Sequence, residues 1–192
     1  MRVGLCPIVR VAELQYALVA RALDCGAQGI LLPRVESPDV LSRAVSWTRF
    51  PPQGVRGFGL TPAHIEYERA SIPQIIEHLN EHTMVVLQIE TKLAVERREE
   101  LLAVPGIDAV MIGPSDLSIS LGVPGDFEHP KMIDAVEKII QSCRAHGVAP
   151  GGQARGQSLA KRWIQMGMQF VGCSGEAAML LDRAREITAS LR

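Results

Sequence analysis

Short apolar segments alternate with longer amphipathic ones along the whole chain, and this alternation restricts the fold more than any other feature. Strands separated by helices are typical of α/β proteins built on a parallel sheet. The apolar segments predict six strands, at Val3 to Val9, Gly29 to Pro33, Met84 to Glu90, Ala109 to Gly113, Val148 to Gln153 and Gln169 to Cys173.

The segments between these strands have the apolar spacing of helices. The predicted helices are Ala12 to Cys25, Pro38 to Thr48, Ile72 to Asn80, Lys131 to His146, Gln157 to Met166 and Glu176 to Leu191. Gly26, Gly147 and Gly167 follow three of them directly, where a glycine can take the left-handed conformation that ends a helix. The proline- and glycine-rich segment that begins at Phe50 predicts an ordered loop.

Composition favours one globular domain over residues 1–192, since 47% of the residues are hydrophobic and 21% are charged. The net charge of -1 provides no field for nucleic acid or an anionic membrane surface. No apolar run approaches the roughly 20 residues that span a bilayer. We therefore expect a cytoplasmic protein with neither nucleic-acid nor membrane partners.

The cysteines and histidines lack the spacing of a metal or redox motif. The sequence predicts four buried, reduced thiols, at Cys6, Cys25, Cys143 and Cys173. It predicts surface or capping roles for the five histidines, which are His64, His78, His82, His129 and His146.

Two predicted strands end in carboxylates, Glu90 after Met84 to Ile89 and Asp116 after a Gly-Pro turn. In parallel sheets and barrels, ligands collect at the carboxyl ends of the strands. The two acids are 26 residues apart, about one strand-helix unit, which predicts adjacent strand exits. Together they could hold a hard divalent cation. Taken singly, Glu90 could instead be a salt-bridge partner and Asp116 a helix N-cap.

Arg10 and Gln88 are further candidates at the same edge. Arg10 closes the first predicted strand, and its guanidinium could bind a substrate carboxylate or form an ion pair with Asp24 or Glu90. Gln88 precedes Glu90 by two residues and so shares its strand face, where it could contact a ligand or pack the interior.

Several longer motifs together resemble one family, the HpcH/HpaI aldolases and citrate lyases, and they occur in the family's order over nearly the whole chain. They are residues 7–11 (PIVRV), 22–29 (ALDCGAQG), 32–35 (LPRV), 49–52 (RFPP), 56–57 (RG), 88–91 (QIET), 104–108 (VPGID) and 112–118 (IGPSDLS) with 121–122 (LG).

This resemblance implies a TIM-type (β/α)8 barrel. Family barrels begin with two further βα units, the second ending in an Asp and His segment whose His is implicated in acid-base catalysis. This chain begins at what resembles the third strand, so about six of eight units are expected. Either a fragment of a longer aldolase or a truncated form would explain that beginning.

The resemblance also implies a metal-dependent aldehyde-lyase that acts on 4-hydroxy-2-oxo acids through a pyruvate enolate, with pyruvate and an aldehyde as its small-molecule partners. Glu90 and Asp116 would hold the metal, with Mg²⁺ expected before Mn²⁺ or Co²⁺. Arg10 would bind the pyruvate oxygens, Gln88 and the backbone of Ser115 would line the substrate site, and Asp24 would help to organise it.

Two other functions stay open. One is a non-catalytic barrel that binds a metal and a 2-oxo acid, or a partner subunit. The other is a CoA-thioester lyase of the citrate lyase beta-like branch, which the Arg49 to Pro52 and Arg56-Gly57 segments make less favoured. By similarity to the family we also expect a homo-oligomer.

Overall fold

A computed structural model of the chain describes residues 4–59, 65 and 69–191. Val3, where the first predicted strand starts, and His64 lie outside these ranges. The strands are β1 (Ile8–Arg10), β2 (Gly29–Leu32), β3 (Met84–Ile89), β4 (Ala109–Ile112), β5 (Gly151–Ala154) and β6 (Phe170–Cys173). The helices are α1 (Tyr16–Asp24), α2 (Pro38–Ser46), α3 (Ile72–His82), α4 (Lys92–Glu96), α5 (Arg98–Leu102), α6 (Pro114–Ser120), α7 (Pro130–Ala145), α8 (Gln157–Met166) and α9 (Glu176–Ser190).

The strands form one parallel sheet in chain order, β1-β2-β3-β4-β5-β6. All carboxyl ends therefore face the same edge, and the α/β class and the parallel sheet are confirmed. The sheet described here ends at β1 and β6, with the curl of a half-barrel. Closure into an eight-stranded barrel stays a prediction.

The core lies between the sheet and its helices. Strands β2 and β4 are buried along their whole length, as expected for parallel strands that are covered on both faces. The larger apolar cluster joins side chains of these strands, such as Leu32 and Ile112, to helix residues such as Leu101 and Ile139. A smaller cluster, Leu31, Val86, Ala109 and Met111, lies on the other face of the sheet.

Most predicted helices are present, and α8 has the predicted bounds. Helix α3 begins at Ile72 because Ser71 and Gln74 form a capping box, and it ends at His82, two residues beyond the prediction. Gly26, Gly147 and Gly167 have φ of 97°, 70° and 103°, which confirms their expected left-handed role.

Other predictions need correction. Helix α1 begins at Tyr16 rather than Ala12, because Gln15 is extended and acts as its N-cap. Helix α6 was not predicted, although Pro114 at its first position is a recognised start signal. Only Cys143 of the four thiols is buried, and burial raises its pKa to about 12. Of the other three, Cys25 caps α1, and Cys6 and Cys173 lie at the two edges of the sheet.

His129 has the predicted capping role, since its Nδ1 accepts a hydrogen bond from the backbone N–H of Lys131 at 3.1 Å, at the start of α7. His146 lies at the other end of α7, where its Nε2 is 3.0 Å from a carboxylate oxygen of Glu99. Within the described ranges, none of the helices combines the length and the apolarity that crossing a bilayer requires.

Candidate active site at the carboxyl edge of the sheet

Strands β3 and β4 bring Glu90 and Asp116 to neighbouring exits of the sheet. Ile89 pairs with Ile112 in parallel register, so Glu90, the next residue, lies beside Gly113. Asp116 is the third residue of α6, which begins directly after that glycine. The spacing of 26 residues therefore indicated the neighbouring exits correctly, whereas metal binding stays a prediction.

Glu90 is almost fully buried, with 1% of its surface exposed. One carboxylate oxygen accepts the backbone N–H of Arg34 at 3.0 Å, and the other accepts the side-chain amide of Gln88 at 2.7 Å. A buried carboxylate needs such donors, since desolvation without them is costly. No ion pair within 4.0 Å joins Glu90 to another described residue, so the salt-bridge alternative is wrong for this part of the chain.

The pKa of Glu90 is raised, chiefly because burial penalises its charged form. The N–H of Arg34 opposes this effect, and the nearby negative charge of Asp116 adds to it. The guanidinium groups of Arg10 and Arg34 lower the pKa less strongly. A cation between the two carboxylates would relieve their repulsion and favour the ionised form of Glu90.

Gly113 allows the close approach of β4 to this carboxylate. A Cβ at this position would lie 2.8 Å from Nε2 of Gln88 and 2.8 Å from Oε2 of Glu90, closer than real contacts allow. A glycine can leave room where backbone and ligand groups come close. No role for Gly113 was predicted from the sequence, although its position between a buried strand and a proline was a visible signal.

Asp116 is half-exposed, and one of its carboxylate oxygens lies 3.7 Å from Nη2 of Arg34. The N-cap alternative is wrong, because the N-cap of α6 is Gly113, with no side-chain capping bond. Asp116 lies instead in the first turn, where a negative charge interacts favourably with the helix dipole. Its carboxylate can therefore contact a ligand from the solvent side.

Arg10 reaches Glu90 through Gln88. Its Nε donates to Oε1 of Gln88 at 3.0 Å, while Nε2 of the same amide donates to Glu90. Gln88 therefore orients one positive and one negative group at once. Neither of the ion pairs considered for Arg10 forms among the described residues. Arg10 is exposed at the end of β1.

Asp24 lies elsewhere. Helix α1 runs from the carboxyl end of β1 back to the amino end of β2. Asp24, in its last turn, therefore lies near the amino ends of the strands, away from the candidate site. There it pairs with the buried Arg56 at 3.1 Å, and Arg56 stacks over the ring of Phe50. A catalytic role for Asp24 stays a prediction, and the structure places it apart from Glu90.

Ser115 lies between the exits of β4 and β5. Its hydroxyl accepts hydrogen bonds from Nε and Nη2 of Arg155 at 3.2 and 2.6 Å, and its carbonyl accepts the hydroxyl of Ser118. Arg34 lies two residues after β2 and Arg155 directly follows β5, and neither was predicted to belong to the site. The strand-exit rule that selected Arg10 would have found both.

The donor set suits a hard divalent cation. Glu90 and Asp116 would supply two carboxylates, and Mg²⁺ is commonly held by one or two carboxylates with water and substrate oxygens in the remaining positions. Among the described residues there is no group of three or more His, Cys, Asp or Glu side chains that could hold a metal. A metal held by these two carboxylates would take water or substrate oxygens in its remaining positions.

Comparisons with known proteins identify the family of the chain. The family model for HpcH/HpaI aldolase/citrate lyase matches residues 2–181. The 4-hydroxy-2-oxo-heptane-1,7-dioate aldolase of Salmonella paratyphi B is 37% identical over 187 residues, which are 95% of this chain and 69% of that protein.

Solved structures show the same fold. The HpcH/HpaI aldolase of Desulfitobacterium hafniense DCB-2 is 31% identical with a TM-score of 0.92, over 99% of this chain and 73% of that one. A citrate lyase beta subunit from M. tuberculosis, complexed with oxaloacetate and magnesium, is 16% identical with a TM-score of 0.54, over 88% of this chain and 67% of that one.

Proposed function

Because the chain belongs to the HpcH/HpaI aldolase/citrate lyase family of carbon-carbon lyases, we propose that it is a metal-dependent aldehyde-lyase. Its substrates would be 4-hydroxy-2-oxo acids, which it cleaves to pyruvate and an aldehyde or forms from them. The observation that carries this proposal is the buried Glu90 beside Asp116, joined through Gln88 to the exposed Arg10.

Each residue has a defined task in this reaction. Arg10 would bind the carboxylate of the 2-oxo acid, because a guanidinium matches a carboxylate with two parallel hydrogen bonds. Gln88 would hold Arg10 and Glu90 in position, and the exit of β4, with Ser115, would line the substrate. Water is excluded from Glu90 by its burial, which strengthens the electrostatic interactions around it.

Glu90 and Asp116 would hold a divalent cation, with Mg²⁺ as the first candidate. Bound there, it would act as a Lewis acid toward the 2-oxo group. In the cleavage direction the bond between C3 and C4 breaks, the 4-hydroxyl loses its proton as the aldehyde forms, and C3 of the pyruvate enolate gains a proton. Arg10 lies where it would stabilise the negative charge that develops on the pyruvate half.

Calorimetric titration with Mg²⁺ and an assay of pyruvate release from 4-hydroxy-2-oxoheptanedioate test the proposal. We expect the Asp116→Asn and Glu90→Gln variants to lose both metal binding and pyruvate release. Asp134→Asn is the matched control, because Asp134 is an exposed residue of α7 that pairs with Lys138. Absence of metal binding and of pyruvate release in the unaltered chain would disprove the proposed function.

The open edges of the sheet favour a second candidate, a barrel that binds metal and a 2-oxo acid without turnover. Strands β1 and β6 are the edges of the described sheet, and unpaired edges are normally covered in a stable protein. Tight binding of Mg²⁺ and pyruvate without any pyruvate release from the hydroxy acid would identify this function.

Helix α9 supports the further proposal of a homo-oligomer. None of its residues is buried, and its apolar side chains Met179, Leu180, Leu181 and Ile187 are between 47% and 75% exposed. An apolar surface of this kind is typical of an interaction site. Light scattering over a range of concentrations would measure the oligomeric state.

A further inference from the structure

Two histidines near the end of α3 lie against each other on the protein surface. His78 and His82 are four residues apart on this helix, and their rings stack with centroids 4.3 Å apart and 23° between their planes. Residues at this spacing share one face of a helix, and two helical histidines four apart bind zinc in metalloprotease motifs. Both are exposed, as predicted, but the expectation that the histidines lack metal-binding spacing is wrong for this pair.

The hydrogen bonding of His82 leaves one ring nitrogen available to a metal. Its Nδ1 lies 2.9 Å from the backbone carbonyl oxygen of His78. Because a carbonyl oxygen can only accept, Nδ1 carries the proton and Nε2 keeps its lone pair. Metal-binding histidines commonly donate their other ring N–H to a carbonyl or a carboxylate in this way. The side chain of His82 is 58% exposed, so an ion can approach the ring from solvent.

The two rings are close enough to share one ion. Zinc lies about 2.0 to 2.1 Å from a ligating imidazole nitrogen, so two such nitrogens must come within about 4.2 Å of each other. Rings whose centroids are 4.3 Å apart can meet that limit by small rotations about their side-chain bonds. Within the described part of the chain, the pair does not belong to a group of three or more His, Cys, Asp or Glu ligands. Water would fill the remaining positions of the ion.

The charges around the pair favour a cation. Helix α3 contains two carboxylates, Glu77 and Glu81, and residues 72–82 include neither lysine nor arginine. One carboxylate oxygen of Glu81 lies 3.9 Å from Nδ1 of His82. The pair also lies toward the carboxyl end of the helix, where the helix dipole favours positive charge. A bound cation would therefore be attracted by both the side chains and the backbone of α3.

We propose that His78 and His82 form a second metal site, which chelates one divalent transition-metal ion such as Zn²⁺, Ni²⁺ or Cu²⁺. Imidazole nitrogens suit these ions, whereas carboxylate oxygens suit Mg²⁺. Helix α3 ends two residues before β3 begins, and Glu90 follows the far end of this six-residue strand, about 20 Å away. The site is thus independent of the carboxylates at the other edge of the sheet.

Electron paramagnetic resonance of Cu²⁺ tests the site, because splitting by imidazole nitrogens shows how many histidines bind the ion. We expect the chain, without a purification tag, to bind one Cu²⁺ through two nitrogens. In calorimetric titrations, His78→Ala and His82→Ala should each lower the affinity for Cu²⁺ at least about tenfold, since one imidazole alone cannot chelate. Both positions are exposed and alanine favours helix, so the variants should fold, which circular dichroism verifies.

His146→Ala is the matched control, because it removes a single histidine at the end of α7, and it should keep the two-nitrogen signal. Glu90→Gln should keep the signal as well, so failure of the proposed lyase function would leave this inference intact. Zn²⁺ should raise the thermal unfolding temperature of the unaltered chain more than that of His82→Ala. A signal from at most one nitrogen in the unaltered chain, equal Cu²⁺ affinities in the three histidine variants, or equal Zn²⁺ effects would overturn the site.

Discussion

The central strands of the sheet are far more buried than its two edge strands. Strands β2, β3 and β4 are buried between helices and carry the residues of the two apolar clusters. Strand β1 is partly exposed along its length, β6 is not fully buried at any position, and α9 buries none of its residues. The candidate site spans both regions, because Glu90 follows the central strand β3 and Arg10 ends the edge strand β1.

This difference separates the two halves of the proposed chemistry. Glu90 directly follows β3, and Asp116 lies in the first turn of α6 just after β4. Displacement of either strand would disrupt the core, so packing fixes the geometry of both carboxylates. Arg10 ends β1, a strand with more solvent contact, and its position depends on its hydrogen bond to Gln88. Substitutions at the centre should therefore affect folding and metal binding together, whereas substitutions at the edges should affect ligand binding alone.

The largest contrast is expected from leucine truncation. Leu87→Ala removes a fully buried side chain of β3 and should lower the free energy of unfolding by about 2 to 5 kcal/mol. Leu180→Ala, on the exposed face of α9, should change it by less than about 0.5 kcal/mol. Urea denaturation measures both. A large loss for Leu180→Ala would show that α9 is packed against another chain in solution.

Gly113→Ala should affect stability and metal binding together. The added Cβ meets Glu90 and Gln88 at 2.8 Å, and the resulting displacement should cost about 1 to 3 kcal/mol of unfolding free energy. Because this displacement would move a metal-binding carboxylate, the affinity for Mg²⁺ should fall about 10- to 100-fold. Gly175→Ala is the control, since a Cβ there meets nothing within 4 Å. Unchanged Mg²⁺ affinity in Gly113→Ala would contradict the site.

Arg10→Met should affect the ligand and spare the fold. The exposed guanidinium contributes a charge-assisted bond to the substrate, so kcat/KM for pyruvate release should fall about 10- to 100-fold. The free energy of unfolding should stay within about 0.5 kcal/mol, as for most exposed positions. Steady-state kinetics and urea denaturation test the two statements. A destabilised variant would show that β1 is held more firmly than its exposure indicates.

The smallest expected effect on stability comes from Glu99, which links helices α5 and α7. Hydrogen bonds from Ser142 and then His146 lower the pKa of Glu99, linking α5 to α7. A lowered pKa in the folded state stabilises the protein above the unfolded pKa of about 4.5, and this contribution is lost as the pH falls. Glu99 is more than half exposed, so the contribution should be below about 1 kcal/mol.

The unfolding free energies of the unaltered chain and of Glu99→Gln, measured in urea, should therefore differ at neutral pH, and the difference should shrink as the pH falls below the unfolded pKa of about 4.5. A difference that does not change with pH would mean that the Glu99 side chain stabilises the helices by packing rather than by its charge. Glu99 suits this measurement because its carboxylate contacts both Ser142 in α7 and His146 at the end of that helix.

Local patterns were sufficient for much of the fold. The apolar runs at Gly29 to Leu32 and Ala109 to Ile112 are buried strands because parallel strands covered on both faces have no polar positions. The glycines after α7 and α8 ended those helices where predicted. The prediction failed where burial depends on neighbours, as with Cys6 and Cys173, whose surroundings are set by the position of their strands at the sheet edges.

Sequence alone was sufficient for the six strands, most of the helices, the family, and the exits at which Glu90 and Asp116 lie, because each depends on local pattern and chain spacing. The tertiary structure decided that Gln88 joins Arg10 to Glu90, that Gly113 leaves room for this carboxylate, and that Arg34 and Arg155 meet at Ser115 and Asp116. These contacts join residues from different strand exits. Their distances depend on the curl and register of the sheet, which no local sequence pattern specifies.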